Sequence, residues 1–304
     1  MATSQMQGKV CLVTGSSSGI GLVTARKLAF MGARVVMLCR NRARGEAVQA
    51  QIKEVSGNPQ VDLIVADLSE LSQVRHAAHE FQQNYTRLHV LINNAGGMNS
   101  ERKVTSDGLE ATFVTNYLAP FLLTQLLLDV LKTSAPARII NVSAPAHKIG
   151  KIDFTDLQSE HRYNALKAYT QAKLAQIYFT YELAERLRGT GVTVNALDPG
   201  HVVSNFNNST RGLMHVIAEV IYFFDGRSPE KGAQTILYLA TDPAVESISG
   251  KYFLDCKPIS SSSRSYDVGV RQRLWSVSEA LIQQPAKPLP TMSRERATNI
   301  QDEN

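Results

Sequence analysis

The sequence predicts an α/β fold in which about seven parallel strands form one doubly wound sheet with helices on both faces. Three observations predict it: short β-branched apolar runs, helical stretches between them, and a glycine-rich turn after the first run. Strands of a parallel sheet are buried on both faces and therefore form continuous apolar runs. The predicted strands span residues 10–14, 34–38, 61–65, 88–92, 138–142, 192–196 and 252–254.

These units are expected to form a single domain, because no Pro/Gly/Ser-rich linker divides them and no repeat of 20–50 residues is visible. The domain is predicted over 7–282, with a substrate lid at about 203–228. Residues 283–304 are polar, carry several prolines and show no hydrophobic periodicity. This end of the chain is predicted to be a disordered tail.

The composition excludes some classes of function. Hydrophobic residues make up 43% and charged residues 19%, as in ordinary globular proteins. The net charge of +5 comes from scattered basic residues rather than a stripe, so nucleic acid is not an expected partner. Three cysteines and the absence of a signal peptide or a bilayer-spanning apolar run predict a reduced, cytoplasmic protein with no transmembrane segment.

A phosphate-binding turn is predicted directly after the first strand, where the glycines are spaced Gly-x-x-x-Gly-x-Gly. Glycine lets the backbone approach a pyrophosphate, whose charge is met by N–H groups at a helix N-terminus. A tight turn without a ligand is the alternative, but the position between a strand and a helix favours a Rossmann-type dinucleotide site. The predicted contacts are Gly15, Ser17, Ser18, Gly19, Ile20 and Gly21.

The end of the second strand predicts which dinucleotide binds. Rossmann folds that prefer NAD place an acid here to accept from the ribose 2′-hydroxyl, whereas this chain has Arg40 and Arg42. A guanidinium pairs well with a 2′-phosphate, so NADP(H) is the predicted cofactor, with contacts from Arg40, Asn41 and Arg44. The alternative is that these arginines are solvated loop charges.

Two further segments fit the adenosine half of the cofactor. Asp67 and Leu68 follow the third strand, where Asp67 can accept from an adenine amine or, alternatively, cap the next helix. Asn94, Ala95 and Gly96 follow the fourth strand. Their small size suits close contact with a ribose, although the same residues are also typical of a plain turn.

A candidate acid/base pair lies in the predicted helix 164–187, where Tyr169 and Lys173 are four residues apart and share a face. A free tyrosine, with a pKa of about 10, is a poor base at neutral pH, but a neighbouring ammonium favours its phenolate. A surface pair without chemistry is the ordinary alternative for this spacing.

Taken with the glycine turn, several further residues resemble the short-chain dehydrogenase/reductase family over nearly the whole chain. The matches are Thr14-Gly15-x3-Gly19-x-Gly21, Asn93-Asn94-Ala95-Gly96, Asn116, Ser143, Tyr169-x3-Lys173 and Pro199-Gly200. The longer segment between Ser143 and Tyr169, together with Leu38-Cys39-Arg40 and Arg273-Leu274-Trp275, resembles the retinol dehydrogenase-like branch.

The resemblance implies a role for each matched residue. Tyr169 would be the general acid/base, Ser143 would bind the substrate oxygen, and Lys173 would also bind the nicotinamide ribose. Asn116 would hold a relay water through its backbone carbonyl. The nicotinamide amide would lie against Pro199, Gly200 and Val202, although Val202 stands where the family often has Thr. A homo-oligomer is also implied.

The long apolar run that holds Asn116 gives independent support for that role. Pro120 follows Asn116 by one helical turn and has no N–H, so the carbonyl of Asn116 is predicted to lack its helical partner. A bound water could use that acceptor. The alternative is a kink without function.

The predicted function is NADP(H)-dependent hydride transfer between nicotinamide and an alcohol or carbonyl carbon. The apolar residues 213–224, in the region that closes over substrate in the family, favour an apolar substrate over core packing or membrane contact. His147 is interpreted as loop structure or pocket wall, and no metal is expected. A non-catalytic NADP(H) sensor, and chemistry on a linked sugar or a C=C bond, are the alternatives.

Overall fold

A computed structural model describes residues 4–200 and 227–283 of the chain. It contains one sheet in the order β3-β2-β1-β4-β5-β6-β7-β8. The first seven strands are parallel to one another, and β8 is antiparallel to β7. The strands are β1 Val10–Thr14, β2 Arg34–Cys39, β3 Val61–Val65, β4 Val90–Asn93, β5 Ala137–Val142, β6 Val192–Asp198, β7 Lys251–Leu254 and β8 Lys257–Ile259.

The seven predicted strands are confirmed to within two residues at each end, and the prediction of about seven strands falls one short. The missed strand, β8, has only three residues and carries Pro258 at the sheet edge, where a proline is tolerated. Asp255 and Cys256 connect it to β7 with φ of 49° and 61°. Positive φ at both central residues is typical of the tightest hairpin turns, and this sequence lacks the glycine that usually marks them.

Helices cover both faces of the sheet. One face packs against α1, α2 and α7, and the other packs against α3, α5, α6 and α8. The helices among the described residues are α1 Gly19–Phe30, α2 Arg42–Ser56, α3 Leu71–Asn84, α4 Ala111–Phe113, α5 Ala119–Thr133, α6 Ala165–Arg186, α7 Pro229–Thr241 and α8 Val268–Gln283, with a π-segment at Val114–Leu118.

The strand order places a reversal at β1 and β4. The chain builds outward from β1 through β2 to β3, then crosses back so that β4 pairs with the other side of β1. In open α/β sheets, ligands bind at such a reversal, outside the carboxyl ends of the strands. The turns after β1, β4 and β5 therefore meet at one edge, and they carry most of the predicted site residues.

The last helix of the described residues, α8, packs mainly on α6 and reaches the long apolar stretch at Phe121 and Tyr117. Trp275 packs its ring at 4.9 Å from Phe121 of α5 and at 6.0 Å from Phe179 of α6. Arg271 donates to Glu182 of α6 at 2.7 Å. The rest of the apolar stretch packs on α3, α6 and the sheet.

One helical stretch among the described residues, Ala111–Thr133, is long and apolar enough to span a membrane by length and composition. The prediction that the sequence contains no such run is therefore wrong. Most of its apolar window is buried inside the protein. Burial of this kind is typical of a core helix.

Some predictions lie outside the described residues. They are Val202, the apolar run 213–224, the lid at about 203–228 except for its last two residues, and the tail from residue 284 onward.

Candidate active site

The glycine turn forms a narrow cradle between β1 and α1. Gly15 has φ of +66°, a conformation that disfavours any residue with a Cβ. A Cβ placed on Gly21 would lie 2.3 Å from the carbonyl oxygen of Gly15 and 2.5 Å from Nδ2 of Asn94. No side chain larger than hydrogen fits at Gly21, so the first turn of α1 packs directly on the loop.

The N-terminus of α1 faces this cradle. Its N-cap residue, Ser18, makes no capping hydrogen bond through its side chain, and no acidic side chain occupies the first turn. The first N–H groups of a helix have no intrahelical acceptor, and the helix dipole favours an anion beside them. Gly19, Ile20 and Gly21 supply those groups here. The residues present therefore fit a pyrophosphate.

The turn after β4 is tied to the same cradle. The hydroxyl of Thr14 accepts from the backbone N–H groups of Asn94 and Ala95, both at 2.9 Å. The side chain of Asn94 donates to the carbonyl oxygen of Thr14 at 2.8 Å. These bonds join the ends of β1 and β4 and leave Ala95 and Gly96 at the rim.

The basic residues after β2 have separate structural positions. Asn41 caps α2 by accepting from the N–H of Arg44 at 2.9 Å, and Nε of Arg44 donates to the carbonyl oxygen of Ser17 at 3.1 Å. Arg42 pairs with Glu46 on the exposed surface at 3.4 Å. Arg40 is exposed and forms no ion pair with the described residues. Of these basic residues, Arg44 is thus the one shown in contact with the glycine turn.

Asp67 makes a local turn rather than a helix cap. Its Oδ1 accepts from the backbone N–H and the hydroxyl of Ser69, at 2.9 and 2.8 Å. Glu70, not Asp67, is the N-cap residue of α3, so the capping alternative is wrong. Leu68 is buried in the core. Asp67 is partly exposed at the edge of the sheet. Its contact with adenine stays a prediction.

Tyr169 and Lys173 lie one turn apart on α6, as their spacing predicts. The ammonium of Lys173 is 5.8 Å from the centre of the Tyr169 ring and donates to the carbonyl oxygen of Val142 at 2.9 Å. Tyr169 is half-buried, whereas Lys173 is only 4% exposed. Burial lowers the pKa of Lys173 to about 8, and the nearby negative charge of Asp198 partly opposes that shift.

Asn116 lies in the π-segment and clamps the turn after β4. Its Nδ2 donates to the carbonyl oxygens of Gly97 and Thr112, both at 2.7 Å, and its Oδ1 accepts from the N–H of Gly97 at 3.2 Å. A Cβ placed on Gly96 would lie 2.7 Å from Oδ1 of Asn116 and 3.4 Å from Nζ of Lys173. Asn116, Gly96 and Lys173 therefore form one tightly packed corner.

The π-segment agrees with the predicted effect of Pro120. In this segment the N–H of Ala119 donates to the carbonyl oxygen of Val114, five residues earlier. Pro120 cannot donate to the carbonyl of Asn116, and the wider turn accommodates that missing bond. Such π-segments are frequent at functional sites.

Ser143 closes the site on the β5 side. It is 3% exposed, its N–H donates to the carbonyl oxygen of Leu197 at 2.8 Å, and its hydroxyl donates to the carbonyl oxygen of Lys173 at 3.2 Å. Ser143, Lys173 and Tyr169 are thus brought to the same edge of the sheet.

Asp198, which the sequence analysis missed, ends β6 beside this group. Its Oδ1 accepts from the N–H of Gly200 at 2.8 Å, and it is 6% exposed. This bond holds the Pro199-Gly200 turn in place, with φ of +77° at Gly200. The sequence did contain a signal for this residue, because an acid stands directly before Pro199-Gly200 at the end of a strand. A carboxylate buried at that position must find N–H donors, and the following turn supplies one.

His147 is structural, as interpreted from the sequence. It is fully buried, with Nδ1 at 2.8 Å from the carbonyl oxygen of Ala144 and Nε2 accepting from the N–H of Ser262 at 3.2 Å. Burial lowers its pKa, so the ring is neutral with its proton on Nδ1. A histidine held at both nitrogens fixes the loop and cannot act as a second base.

Within 4–200 and 227–283, no group of three or more His, Cys, Asp and Glu side chains is arranged to hold a metal ion.

Comparison with known proteins agrees with the fold. The family model for short chain dehydrogenase matches residues 9–213. The chain therefore belongs to the short-chain dehydrogenase family of oxidoreductases. Mouse retinol dehydrogenase 12 is 45% identical over 278 residues, which cover 91% of this chain and 87% of the relative.

A second relative is consistent with this placement. Human retinol dehydrogenase 14 is 42% identical over 292 residues, with 91% of this chain and 87% of the relative covered. Within its family, the chain falls in the retinol dehydrogenase-like branch. Among solved structures, the Pseudomonas aeruginosa RhlG/NADP active-site complex has a TM-score of 0.67 and 26% identity, covering 83% of this chain and 96% of that one.

The packed corner at Gly96 yields a first prediction. Gly96→Ala is expected to lower kcat about 100-fold, because its Cβ would lie 2.7 Å from Oδ1 of Asn116 and must displace that side chain, and a shift of about 1 Å in a catalytic group has that effect. Gly97→Ala is the matched control, since a Cβ there meets nothing within 4 Å. Steady-state kinetics on both variants, with circular dichroism to confirm folding, would contradict the packing argument if the two lost activity equally.

The buried ammonium yields a second prediction, on stability. Its pKa of about 8 lies below that of the unfolded chain, so the unfolded state holds more protons between pH 8 and about 10.4 and native stability rises with pH across that window. At pH 7, Lys173→Met is expected to be more stable than the cofactor-free natural protein by up to about 3 kcal/mol, less about 1 kcal/mol for the lost hydrogen bond.

Urea unfolding at pH 7 and at pH 10 measures this difference. The advantage of Lys173→Met should shrink at the higher pH, where the natural lysine has lost its charge. A difference that is independent of pH would show that the ammonium is not penalised by burial.

Proposed function

We propose that the protein is an NADP(H)-dependent oxidoreductase that transfers hydride between nicotinamide and the alcohol or carbonyl carbon of an apolar small molecule. One observation carries the proposal: Tyr169 and a buried Lys173 share a helix face at the carboxyl edge of the sheet, next to the glycine cradle. Membership of the retinol dehydrogenase-like branch supports a retinoid-like or other apolar substrate.

Different residues of the site would bind different parts of the cofactor. The N–H groups at the start of α1 would bind the pyrophosphate, and Asn94, Ala95 and Gly96 would lie against the adenosine ribose. Arg40 and Arg44 would pair with a 2′-phosphate, since no acid stands where NAD-specific folds have one. Lys173 would bind the nicotinamide ribose. The NADP complex of a structural relative supports the same assignment.

The cofactor supplies or accepts the hydride, and the side chains handle the proton. The hydroxyl of Ser143, which otherwise donates to the carbonyl oxygen of Lys173, would turn to donate to the substrate oxygen and orient it toward Tyr169. The Tyr169 hydroxyl would protonate that oxygen during reduction and accept its proton during oxidation. The ammonium of Lys173 stabilises the resulting phenolate, and a lysine with a pKa near 8 can itself regain or lose a proton near neutral pH. Asn116 would hold the water that connects Lys173 with solvent.

Removing the phenolic hydroxyl tests the proposed chemistry. Tyr169→Phe is expected to lower turnover of a retinaldehyde with NADPH by about 100- to 10,000-fold, the range typical of a lost general acid. NADPH binding, followed by fluorescence titration, should change little because Tyr169 is not the anchor of the pyrophosphate. Unchanged turnover would refute the assignment. A natural protein that binds NADPH but never oxidises it across a panel of carbonyl compounds would favour a sensor.

Cofactor choice has a separate test. Arg40→Asp is expected to reduce kcat/KM for NADPH by roughly 10- to 100-fold, because the loss of a charged hydrogen bond costs about 1.5–3 kcal/mol. It should raise or leave unchanged kcat/KM for NADH. Arg42→Asp is the matched control, since Arg42 already pairs with Glu46 on the surface. Equal effects of the two variants would argue for general surface charge rather than recognition of the 2′-phosphate.

A further inference from the structure

Two loops that border the site are joined by hydrogen bonds between residues far apart in the sequence. One loop follows β4 and contains Gly97 and Asn99, and the other precedes α6 and contains Tyr163. The Tyr163 hydroxyl donates to the backbone carbonyl oxygen of Asn99 at 2.8 Å. Thr112, in α4, contacts both loops, because its hydroxyl oxygen lies 3.3 Å from the Tyr163 hydroxyl and accepts from the backbone N–H of Asn99 at 3.3 Å.

The hydroxyl protons of these residues can be assigned from the contacts. The short bond to Asn99 uses the single proton of Tyr163, so the contact between the two hydroxyls requires Thr112 to donate. The Thr112 oxygen in turn accepts from the backbone N–H and from Nδ2 of Asn99, both at 3.3 Å. The three residues therefore form a closed hydrogen-bond cycle in which each hydroxyl donates once.

The cycle is shielded from water. Thr112 is 1% exposed, and Asn99 and Tyr163 are partly buried. Burial raises the pKa of Tyr163, so its hydroxyl keeps its proton and remains a donor at neutral pH. Hydrogen bonds in such surroundings are stronger than exposed ones, because the local dielectric constant is low.

The cycle is directly connected to the packed corner at Gly96. The backbone carbonyl oxygen of Thr112 accepts from Nδ2 of Asn116 at 2.7 Å, and the same Nδ2 donates to the carbonyl oxygen of Gly97 at 2.7 Å. The loop after β4 is therefore held at two points, by Asn116 at Gly97 and by the cycle at Asn99.

The same cycle holds the start of the helix that carries the acid/base pair. Tyr163 stands two residues before the first residue of α6, next to the N-cap residue Asn164. The side chain of Asn164 accepts from the N–H of Lys167 at 2.9 Å, which fixes the first turn. Tyr169 lies in the second turn of this helix. The bonds of Tyr163 therefore connect the helix that bears Tyr169 with the loop after β4.

We propose that Tyr163 is a positioning residue for hydride transfer, which holds the loop after β4 at a fixed position relative to Tyr169. The inference rests on the proposed function, because the reaction it serves is the one proposed above. Tyr163 acts through Asn99 and Thr112 rather than on the substrate. A displacement of about 1 Å between reacting groups costs about 100-fold in rate, so a bond that fixes their separation affects turnover without touching the reacting atoms.

Steady-state kinetics of Tyr163→Phe with NADPH and a retinaldehyde test the proposal. The substitution keeps the aromatic ring and removes the hydroxyl that attaches the loop. We expect kcat to fall about 10- to 100-fold. The Kd of NADPH, followed by fluorescence titration, should change much less, because the pyrophosphate would bind at the start of α1, outside the cycle.

Tyr85→Phe is the matched control. The Tyr85 hydroxyl is also partly buried and donates to Asp62 at 2.8 Å, but it lies at the end of α3, outside the site. Its loss should lower stability in urea about as much as Tyr163→Phe does and leave kcat unchanged.

Two variants of Thr112 separate positioning from packing. Thr112→Ser keeps the hydroxyl and should retain most of the natural kcat, whereas Thr112→Val keeps the shape, opens the cycle and should lower kcat as Tyr163→Phe does. The double variant Thr112→Val with Tyr163→Phe should be little slower than either single variant, because both changes break one network. If Tyr163→Phe does not fold, as judged by circular dichroism, the Thr112 pair decides the same question.

Each contrary outcome overturns the proposal. Unchanged kcat in a folded Tyr163→Phe does so, as does an equal fall in Tyr85→Phe, or a loss in Thr112→Ser that matches the loss in Thr112→Val. Effects that multiply in the double variant would show that the two hydroxyls act independently. An inactive natural protein would overturn the proposed function and this role with it, whereas an active natural protein with an unaffected Tyr163→Phe would overturn only the role of Tyr163.

Discussion

The buried ammonium of Lys173 is the constraint on which the arrangement of the site depends. A charge removed from water is costly unless nearby groups compensate for it, and here they are the carbonyl oxygen of Val142 and the carboxylate of Asp198. Each compensating group ends a different strand of the sheet. The fold therefore brings β5, β6 and α6 together around one positive charge. Compensation is incomplete, because the pKa of Lys173 remains well below its ordinary value.

A second constraint comes from the backbone of the long apolar stretch. Pro120 removes one helical donor, and the helix responds with a wider turn that carries Asn116. The amide of Asn116 then clamps both the preceding helical turn at Thr112 and the loop at Gly97. Next to it, the hydroxyl of Tyr117 donates at 2.7 Å to Ser278, whose own proton goes to the carbonyl oxygen of Leu274. The last helix of the described residues thereby supports a segment that lines the site.

Local patterns predicted the elements whose signals are local. Continuous apolar runs located seven strands, the glycine spacing located the cradle, and the interval of four residues placed Tyr169 and Lys173 on one helix face. The missing donor to the carbonyl of Asn116 also followed from Pro120, since it is a property of the residue itself, although the wider turn that accommodates it was not predicted. These features need no knowledge of distant contacts.

What could not be predicted depends on tertiary contacts. No pattern in the sequence indicates that Lys173 bonds to the carbonyl of Val142, or that Asp198 lies near it, because the partners are far apart in the chain and meet only through the sheet order. The edge strand β8 was missed for a different reason: three residues with a proline carry too little β signal. Trp275 was noted only as part of a resemblance, and its packing on α5 and α6 is visible only in the folded protein.

The contacts that α8 makes with Phe121 and Tyr117 have a consequence for biosynthesis. The ribosome releases the apolar stretch more than a hundred residues before it releases Val268–Gln283, and until then nothing from α8 can shield it. Throughout that interval Phe121 and Tyr117 lack these partners, and apolar side chains exposed on a nascent chain favour aggregation. The contacts that α8 supplies therefore form only after the nucleotide-binding half has been synthesised.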